Sequence, residues 1–259
     1  MRIATWNVNS IGARLPTALQ VLQHLDADVI CLQEIKCEEH RFPRLEIEAL
    51  GYNVAILGQK SYNGVAILSR DRLEDITYGL PGDPEDAQAR YLEAVISRGG
   101  RTWRVVSLYA PNGNPVDSEK FPYKLAWLER LQARAAALLR HEEPLVLAGD
   151  YNIIPREEDC FDPTAWSGDA LFRPESRAAY RRLLALGLTD AFMAVDARPH
   201  QYTFWDYQAG AWQRDRGIRI DHLLLSPEAA DRLRAVAIQR SARALDKPSD
   251  HVPAAADFA

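Results

Sequence analysis

One stretch limits what this chain can fold into more than any other: Leu145-Val146-Leu147-Ala148-Gly149-Asp150-Tyr151-Asn152-Ile153-Ile154-Pro155. Its apolar run has the length and β-branched content of a buried strand, and Pro144 and Pro155 bracket it. Residues i and i+2 of a strand share a face, so Asp150 and Asn152 are expected to project together from the end of a core strand. A carboxylate there is costly unless a cation, a hydrogen-bond donor or water meets it. A turn that uses Asp and Asn as local caps accounts for the pair equally well. The decision therefore falls to the rest of the chain.

The pattern recurs. Residues 2–6 alternate like a strand and run into Asn7-Val8-Asn9; residues 28–32 read as a buried strand and run into Gln33 and Glu34. Residues 91–97 and 102–109 form an expected hairpin around Gly99-Gly100, whose second strand ends at Tyr109 before Ala110-Pro111-Asn112-Gly113-Asn114. Residues 219–226 read as a strand carrying Asp221, and Lys247-Pro248-Ser249-Asp250-His251 is a tight polar loop before a last strand over 252–258. One polar residue at a strand end is a cap. Nine of them (Asn7, Glu34, Tyr109, Asn112, Asp150, Asn152, Asp221, Asp250 and His251) are too many for caps. Gathered at one sheet edge they make an oxygen-rich site with one imidazole, which selects a hard cation such as Mg²⁺ or Mn²⁺ over zinc. His24, His40, His141, His200 and His222 lack that context and read as surface or packing residues.

Between these strands the spacing predicts helices. Over 13–25, Leu15, Leu19, Leu22 and Leu25 fall on one face with Pro16 in the first turn. A short helix over 43–50 is closed by Gly51, and a long one over 121–141 turns Leu125, Leu128, Leu131, Leu138 and Leu139 inward. Helices over 175–186 and 227–233 follow. A strand pair at 52–57 and 64–68 is joined by a loop with Lys60, Ser61, Tyr62 and Asn63, and a further strand is expected at 236–240. Residues 78–88 and 156–173 read as loops, and Tyr202 to Tyr207 as an aromatic strand. No linker divides the chain, and hairpin-like connections argue against a pure βαβ series. The expectation is a single α/β domain over 1–259 with mixed sheets. WNVN near the start and GDYN in the middle echo one another, hinting at two halves that each supply strand ends to one site.

Composition excludes some classes. A hydrophobic fraction of 47% is ample for a core. No charged start leads into an apolar run and no apolar stretch approaches the ~20 residues of a membrane helix, so neither a signal peptide nor a membrane role is expected. Three cysteines with no zinc spacing suit a reducing cytoplasm. A net charge of −5 argues mildly against nucleic acid. The 26 arginines set against 5 lysines fit either codon bias or bidentate phosphate contacts.

The motifs taken together resemble one family. Asn7, LQEIK with Glu34, GQKSYNGVAILS, LYAPNG with Tyr109 and Asn112, GDYNIIP, YTFWDY, GIRIDHLLLS and KPSDH look like the ordered motif series of the exonuclease III family, within the endonuclease/exonuclease/phosphatase superfamily. The resemblance spans essentially the whole chain. It implies a four-layered α/β sandwich, two mixed sheets face to face with helices outside. It implies a Mg²⁺-dependent abasic-site endonuclease of base-excision repair with 3′–5′ exonuclease and 3′-phosphodiesterase activity. It implies one or two ions, Mn²⁺ substituting for Mg²⁺. The implied partner is double-stranded DNA with abasic sites or blocked 3′ ends, met by a cytoplasmic monomer at the nucleoid.

The resemblance also implies roles. Glu34 would bind the metal with Asn7. Asp150 would orient and deprotonate the attacking water beside Asn152, and Asp221 would hold His251 in its tautomer and favour its cation. Tyr109 and Asn112 would contact the scissile phosphate. Asp150, Asn152, Asp250 and His251 are further candidate metal ligands. Phe204, Ile218 and Ile220 fall where the family forms the pocket for a flipped-out abasic sugar, with Trp205 packing on the backbone nearby and Arg90 and Lys60 on phosphates. Ile218 stands where some members have tryptophan, which leaves the balance of endonuclease to exonuclease open. Two rivals remain: a phosphodiesterase or phosphatase acting on sphingomyelin, inositol phosphates or RNA, and a DNA-binding relative without catalysis.

Overall fold

The computed structural model describes residues 1–259. Strands β1 (Arg2–Asn7), β2 (Val29–Gln33), β3 (Asn53–Leu57), β4 (Val65–Ser69), β11 (Leu233–Ile238) and β12 (Ala254–Phe258) form one sheet, ordered β11-β12-β1-β2-β4-β3. Strands β5 (Leu73–Tyr78), β6 (Tyr91–Arg98), β7 (Arg101–Tyr109), β8 (Leu145–Asp150), β9 (Thr189–Asp190) and β10 (Asp221–Leu225) form the other, ordered β5-β6-β7-β8-β10-β9. In each sheet only the central pair is parallel, β1 with β2 and β7 with β8; every other pairing is antiparallel. Each parallel pair is bridged by a helix, α1 (Leu15–Leu25) or α3 (Lys120–Leu139). The remaining helices are α2 (Arg44–Glu48), α4 (Pro163–Trp166), α5 (Pro174–Ala185), α6 (Ala191–Val195) and α7 (Pro227–Ala230).

The sheets pack face to face, β1 against β8 and β2 against β7. Alternation along the strands builds three layers of core. Ile3, Val29, Cys31, Val105, Val146 and Ala148 fill the space between the sheets. Ala4, Trp6, Ile30 and Leu32 face outward onto Val21, Leu22 and Leu25 of α1. Val106, Leu108, Leu145 and Leu147 face outward onto Leu128, Leu131 and Leu138 of α3 and Tyr180 and Leu183 of α5. With both faces covered, the central strands need apolar residues throughout, which is why LVLAG and VICL read as unbroken runs. The result is the four-layered sandwich that the motifs implied.

Several elements differ from the sequence reading. Strand β5 was not expected: it is a half-exposed edge strand, interrupted by a register shift at Asp75, whose φ is 45°. Neither β9 nor α6 is long enough to carry a periodic signal. The aromatic segment around Phe204 is no strand; Phe204 makes isolated bridges to Ile218 and His251. The two halves are real, but chain order and topology match β1–α1–β2 to β7–α3–β8. The WNVN end therefore corresponds to the LYAPN end, and GDYN is its partner across the sandwich.

Candidate active site

All four central strands run to the same edge, and parity decides which of their end residues meet. Asn7 follows Ile3, Asp150 follows Val146 and Ala148, and Tyr109 follows Val105, so all three face the space between the sheets, where it opens to the outside. Asn7 Nδ2 donates across the gap to Asp150 Oδ2 at 3.0 Å and along its own sheet to Glu34 Oε1 at 2.8 Å. Glu34 breaks parity: its neighbours Gln33 and Cys31 already occupy the inner face. A left-handed backbone at Glu34, φ 50°, swings its carboxylate in. Asn152 is also left-handed, φ 49°. The strand stops at Asp150, and Asp150 Oδ1 accepts from the Asn152 amide at 2.8 Å. The local cap and the shared site therefore coexist at this pair.

His251 enters from the loop before β12. Its Nδ1 lies 2.8 Å from Asp221 Oδ2 and its Nε2 3.7 Å from Asp150 Oδ2. Ser249 locks the loop, donating to the Asn7 carbonyl and accepting from the His251 amide. Trp6 donates its indole N–H to the His251 carbonyl. On the opposite wall Asn112 Nδ2 donates to Asn152 Oδ1 at 3.2 Å, and Asn152 Nδ2 to the Ala110 carbonyl. Arg90 stacks 4.8 Å over the Tyr109 ring and donates to its carbonyl. Asp250 accepts from Asn9, which in turn accepts from Lys36, the ion-pair partner of Glu34 at 2.8 Å.

Burial sets the charges. It pushes the Asp150 carboxyl up to about 7, against the pull of His251. Burial lowers His251, but Asp221, Asp150 and Asp250 outweigh it and push the imidazole up to about 10. Burial would raise Glu34 too, yet hydrogen bonds from Asn7 and Lys36 hold it below its ordinary value. Burial, with the charges of Glu34 and Asp150, keeps the Tyr109 phenol protonated.

The residues fit a divalent cation. Glu34, Asp150 and His251 bring ligand atoms within 4.8 Å of one another. Asp221 Oδ1 is buried without a partner, so negative charge exceeds the protein's own donors here. The oxygen-rich set suits a hard ion. These groups line a cavity of about 260 Å³ with Tyr109, Asn112, Asn152, Asp250, Phe204, Ile220, Asn114, Trp166, Asp169 and Leu171. Larger hollows, such as one of about 610 Å³ between Leu15 and Leu45, gather no such cluster.

The aromatic and aliphatic candidates divide. Phe204 lies edge-on to His251, ring centroids 5.0 Å apart, and with Ile220 forms the apolar wall. Trp205 does not reach the site: it is fully buried between Tyr202 and Trp212, its indole N–H given to Asp215. Ile218 sits one layer back, packed with Cys160, Leu171 and Ile220. Lys60 is exposed on its loop, outside the cavity lining. His222 is a buried packing residue, held by Ile153 and Arg219. Sequence reasoning missed Trp166, Asp169 and Leu171, which lay in a segment read as plain loop. It also missed Lys36 and the buried Lys124. The signal for Lys124 was present: it falls on the inward stripe of α3 with Phe121, Leu128 and Leu131.

The endonuclease/exonuclease/phosphatase family model matches residues 4–251, every site residue from Asn7 to His251 included. The chain belongs to this family. Among curated relatives of this endonuclease/exonuclease/phosphatase protein, the exodeoxyribonuclease III of Haemophilus influenzae is 35% identical over 266 residues, covering 100% of both chains. The DNA repair nuclease APEX1 of Danio rerio is 30% identical over 98% of this chain and 80% of its own. Among solved structures, a 3′ phosphatase, NExo, from Neisseria, bound to a product DNA hairpin, superposes with a TM-score of 0.96 at 39% identity, over 100% of this chain and 99% of that one. An AP endonuclease from Archaeoglobus fulgidus gives 0.94 at 37% identity, with the same coverage. The layered fold is thus shared over the whole length.

Proposed function

We propose that this chain is a DNA repair nuclease of the exodeoxyribonuclease III kind. It hydrolyses the phosphodiester bond 5′ to an abasic site and removes nucleotides or blocking groups from 3′ ends. The observation that carries the reading is the constellation of Glu34, Asn7, Asp150, Asp221 and His251 gathered at one cavity at the open edge. Its likeness over full length to exodeoxyribonucleases and AP endonucleases supports DNA as the substrate.

Each residue then has a physical task. Glu34 would hold Mg²⁺, with the Asn7 amide fixing the carboxylate, and Asp150, Asn152, Asp250 and His251 are the further residues that would serve as ligands. When bound, the ion neutralises charge that grows on the phosphoryl oxygens. Asp150 takes the proton of the attacking water. A carboxyl lifted towards neutrality by burial is a stronger base than a free one, provided that it is ionised when water arrives, and the neighbouring His251 cation favours that form. His251, charged through Asp221, meets a non-bridging phosphate oxygen. The protonated Tyr109 donates to the phosphate and eases departure of the leaving oxygen. The Asn112 and Asn152 amides hold the phosphate, with Arg90 and Lys60 on flanking phosphates. Phe204, Ile220, Trp166 and Leu171 form the apolar wall of the same cavity of about 260 Å³. That suits a sugar without its base, whose extrusion from the helix costs least. We place the protein in the cytoplasm as a monomer acting at the nucleoid; no helix is long and apolar enough to cross a membrane.

Incision of a duplex carrying one tetrahydrofuran abasic analogue tests the reading, beside duplexes with blocked 3′ ends, RNA and sphingomyelin. The expected result is a cut 5′ to the analogue in Mg²⁺, abolished by a chelator. Faster turnover of RNA or lipid, or binding without cutting, would overturn it.

A further inference from the structure

We infer that Lys124 is a positioning residue for phosphodiester cleavage: its buried ammonium ties together the two loops that present Asn112 and Asn152. The inference rests on the function proposed above. Lys124 is fully buried in the second turn of α3, yet no carboxylate lies within ion-pairing distance of it. Its Nζ donates instead to the Asn112 carbonyl at 3.0 Å and the Asn152 carbonyl at 2.5 Å. Both acceptors are backbone atoms of residues whose side chains face the cavity, and those two side chains are hydrogen-bonded to each other.

The surroundings make the clamp rigid. A Cβ on Gly113 would lie 2.7 Å from Lys124 Cδ and 3.2 Å from Ala170, so the loop lies flat on the lysine stem because residue 113 has no side chain. Asn114 fastens the far end, accepting from the Ala170 amide and donating to Asp169. An ammonium in an apolar helix face is expensive to bury. A methionine would fill the same stripe without that cost, so packing does not account for a lysine here. What the lysine adds is a tie deeper in the two loops, between the Asn112 and Asn152 carbonyls, beyond the bonds that the Ala110 amide makes to the Asp150 carbonyl and the Asn152 side chain to the Ala110 carbonyl. The Asn152 backbone is left-handed and its amide already caps Asp150, so a shift of that loop moves the Asp150 carboxylate as well. A misplacement of about 1 Å is enough to cost about 10²-fold in rate.

The test is Lys124→Met, assayed for kcat and KM on the abasic duplex and for melting temperature. A double-mutant cycle with Asn152→Ala accompanies it. The expected result is a kcat lowered about 10²-fold with KM within a few-fold of wild type and a melting temperature within a few degrees. In the Asn152→Ala background the Lys124 substitution should then cost less than it does alone, because one of the two amides it positions is gone. In the metal-free protein, the Asn112 and Asn152 side-chain amide NMR signals should lose their distinct shifts. An unchanged kcat in folded Lys124→Met, effects that multiply independently of Asn152, or unmoved amide signals would overturn the inference. If the Met variant does not fold, Lys124→Leu, which likewise has no donor, is read by the same criteria. Failure of the wild type to cut the abasic duplex would instead strike the proposed function, so the two failures are distinguishable.

Discussion

Asp150 and His251 stand 3.7 Å apart, each favouring the charged form of the other, with Asp221 the larger influence on the imidazole. Removing one therefore changes the other, and removal of either should act beyond a single hydrogen bond. Asp150→Asn keeps shape and the cap to the Asn152 amide but loses the base; kcat on the abasic duplex should fall about 10³-fold or more with unfolding unchanged. Asp221→Asn should fall in the same direction by about 10²-fold, because the imidazole then loses the partner that holds it cationic. Near-wild-type rates in either variant, measured under single-turnover conditions, would remove that residue from the chemistry. At this scale much was legible. Asn7, Glu34, Tyr109, Asp150 and His251 could be picked out as polar groups ending apolar runs. Trp205 was misplaced because an aromatic cluster does not reveal which of its members face inward. Lys36 and Lys124 were missed because a lysine near a carboxylate, or on a helix, usually signals a solvated face.

The element that fixes the site is the parallel pair β7–β8. Gly149 is where the two strands close: a Cβ there would come within 2.0 Å of the Leu108 carbonyl oxygen, a backbone atom with no rotamer to escape to. Since Gly149 lies between Ala148 and Asp150, any outward shift of β8 separates Asp150 from Tyr109 and from Asn7. Gly149→Ala should cost more than the ~1–3 kcal/mol of ordinary overpacking, read as a lower denaturant midpoint, and activity should fall with it. A midpoint equal to wild type would mean that the strands are free to part. Strand existence was readable from the apolar runs, because central strands covered on both faces cannot hide. Edge elements such as β5 and β9 were not, since half-exposed or two-residue strands carry no run to detect. The swing of Glu34 was also unreadable: it depends on a left-handed residue that is not glycine, paid for by its contacts to Asn7 and Lys36.

Across the whole molecule, two sheets of like topology meet so that one edge collects four carboxyl-terminal strand ends. Behind that edge a second charged network braces the cavity wall. Arg219, between Ile218 and Ile220, is buried against Asp159 and Asp190 and against His222. Burial would raise Asp190, but Arg219 outweighs it and holds the carboxylate low; burial and Arg219 together pull His222 down to about 4. A neutral histidine in the folded state that ionises near 6.5 when unfolded contributes stability that is complete above pH 6.5 and lost as the pH falls towards 4. The loss is on the order of 3 kcal/mol. His222→Gln, which can both accept from Arg219 and donate to Ile153, should flatten the stability profile in that window; an unchanged slope would place the acid sensitivity elsewhere. The sandwich itself followed from ordered motifs, whereas this network could not be foreseen, because it joins residues from 159 to 222 that share no sequence pattern.

The central claim is that strand ends far apart in sequence make one cation site at the open edge. Anomalous diffraction from crystals soaked in Mn²⁺ tests it most directly. A peak is predicted within about 2.0–2.3 Å of a Glu34 carboxylate oxygen, on the side facing Asp150 and His251, and it should vanish in Glu34→Gln. A peak bound elsewhere, or one that survives the substitution, would contradict the account.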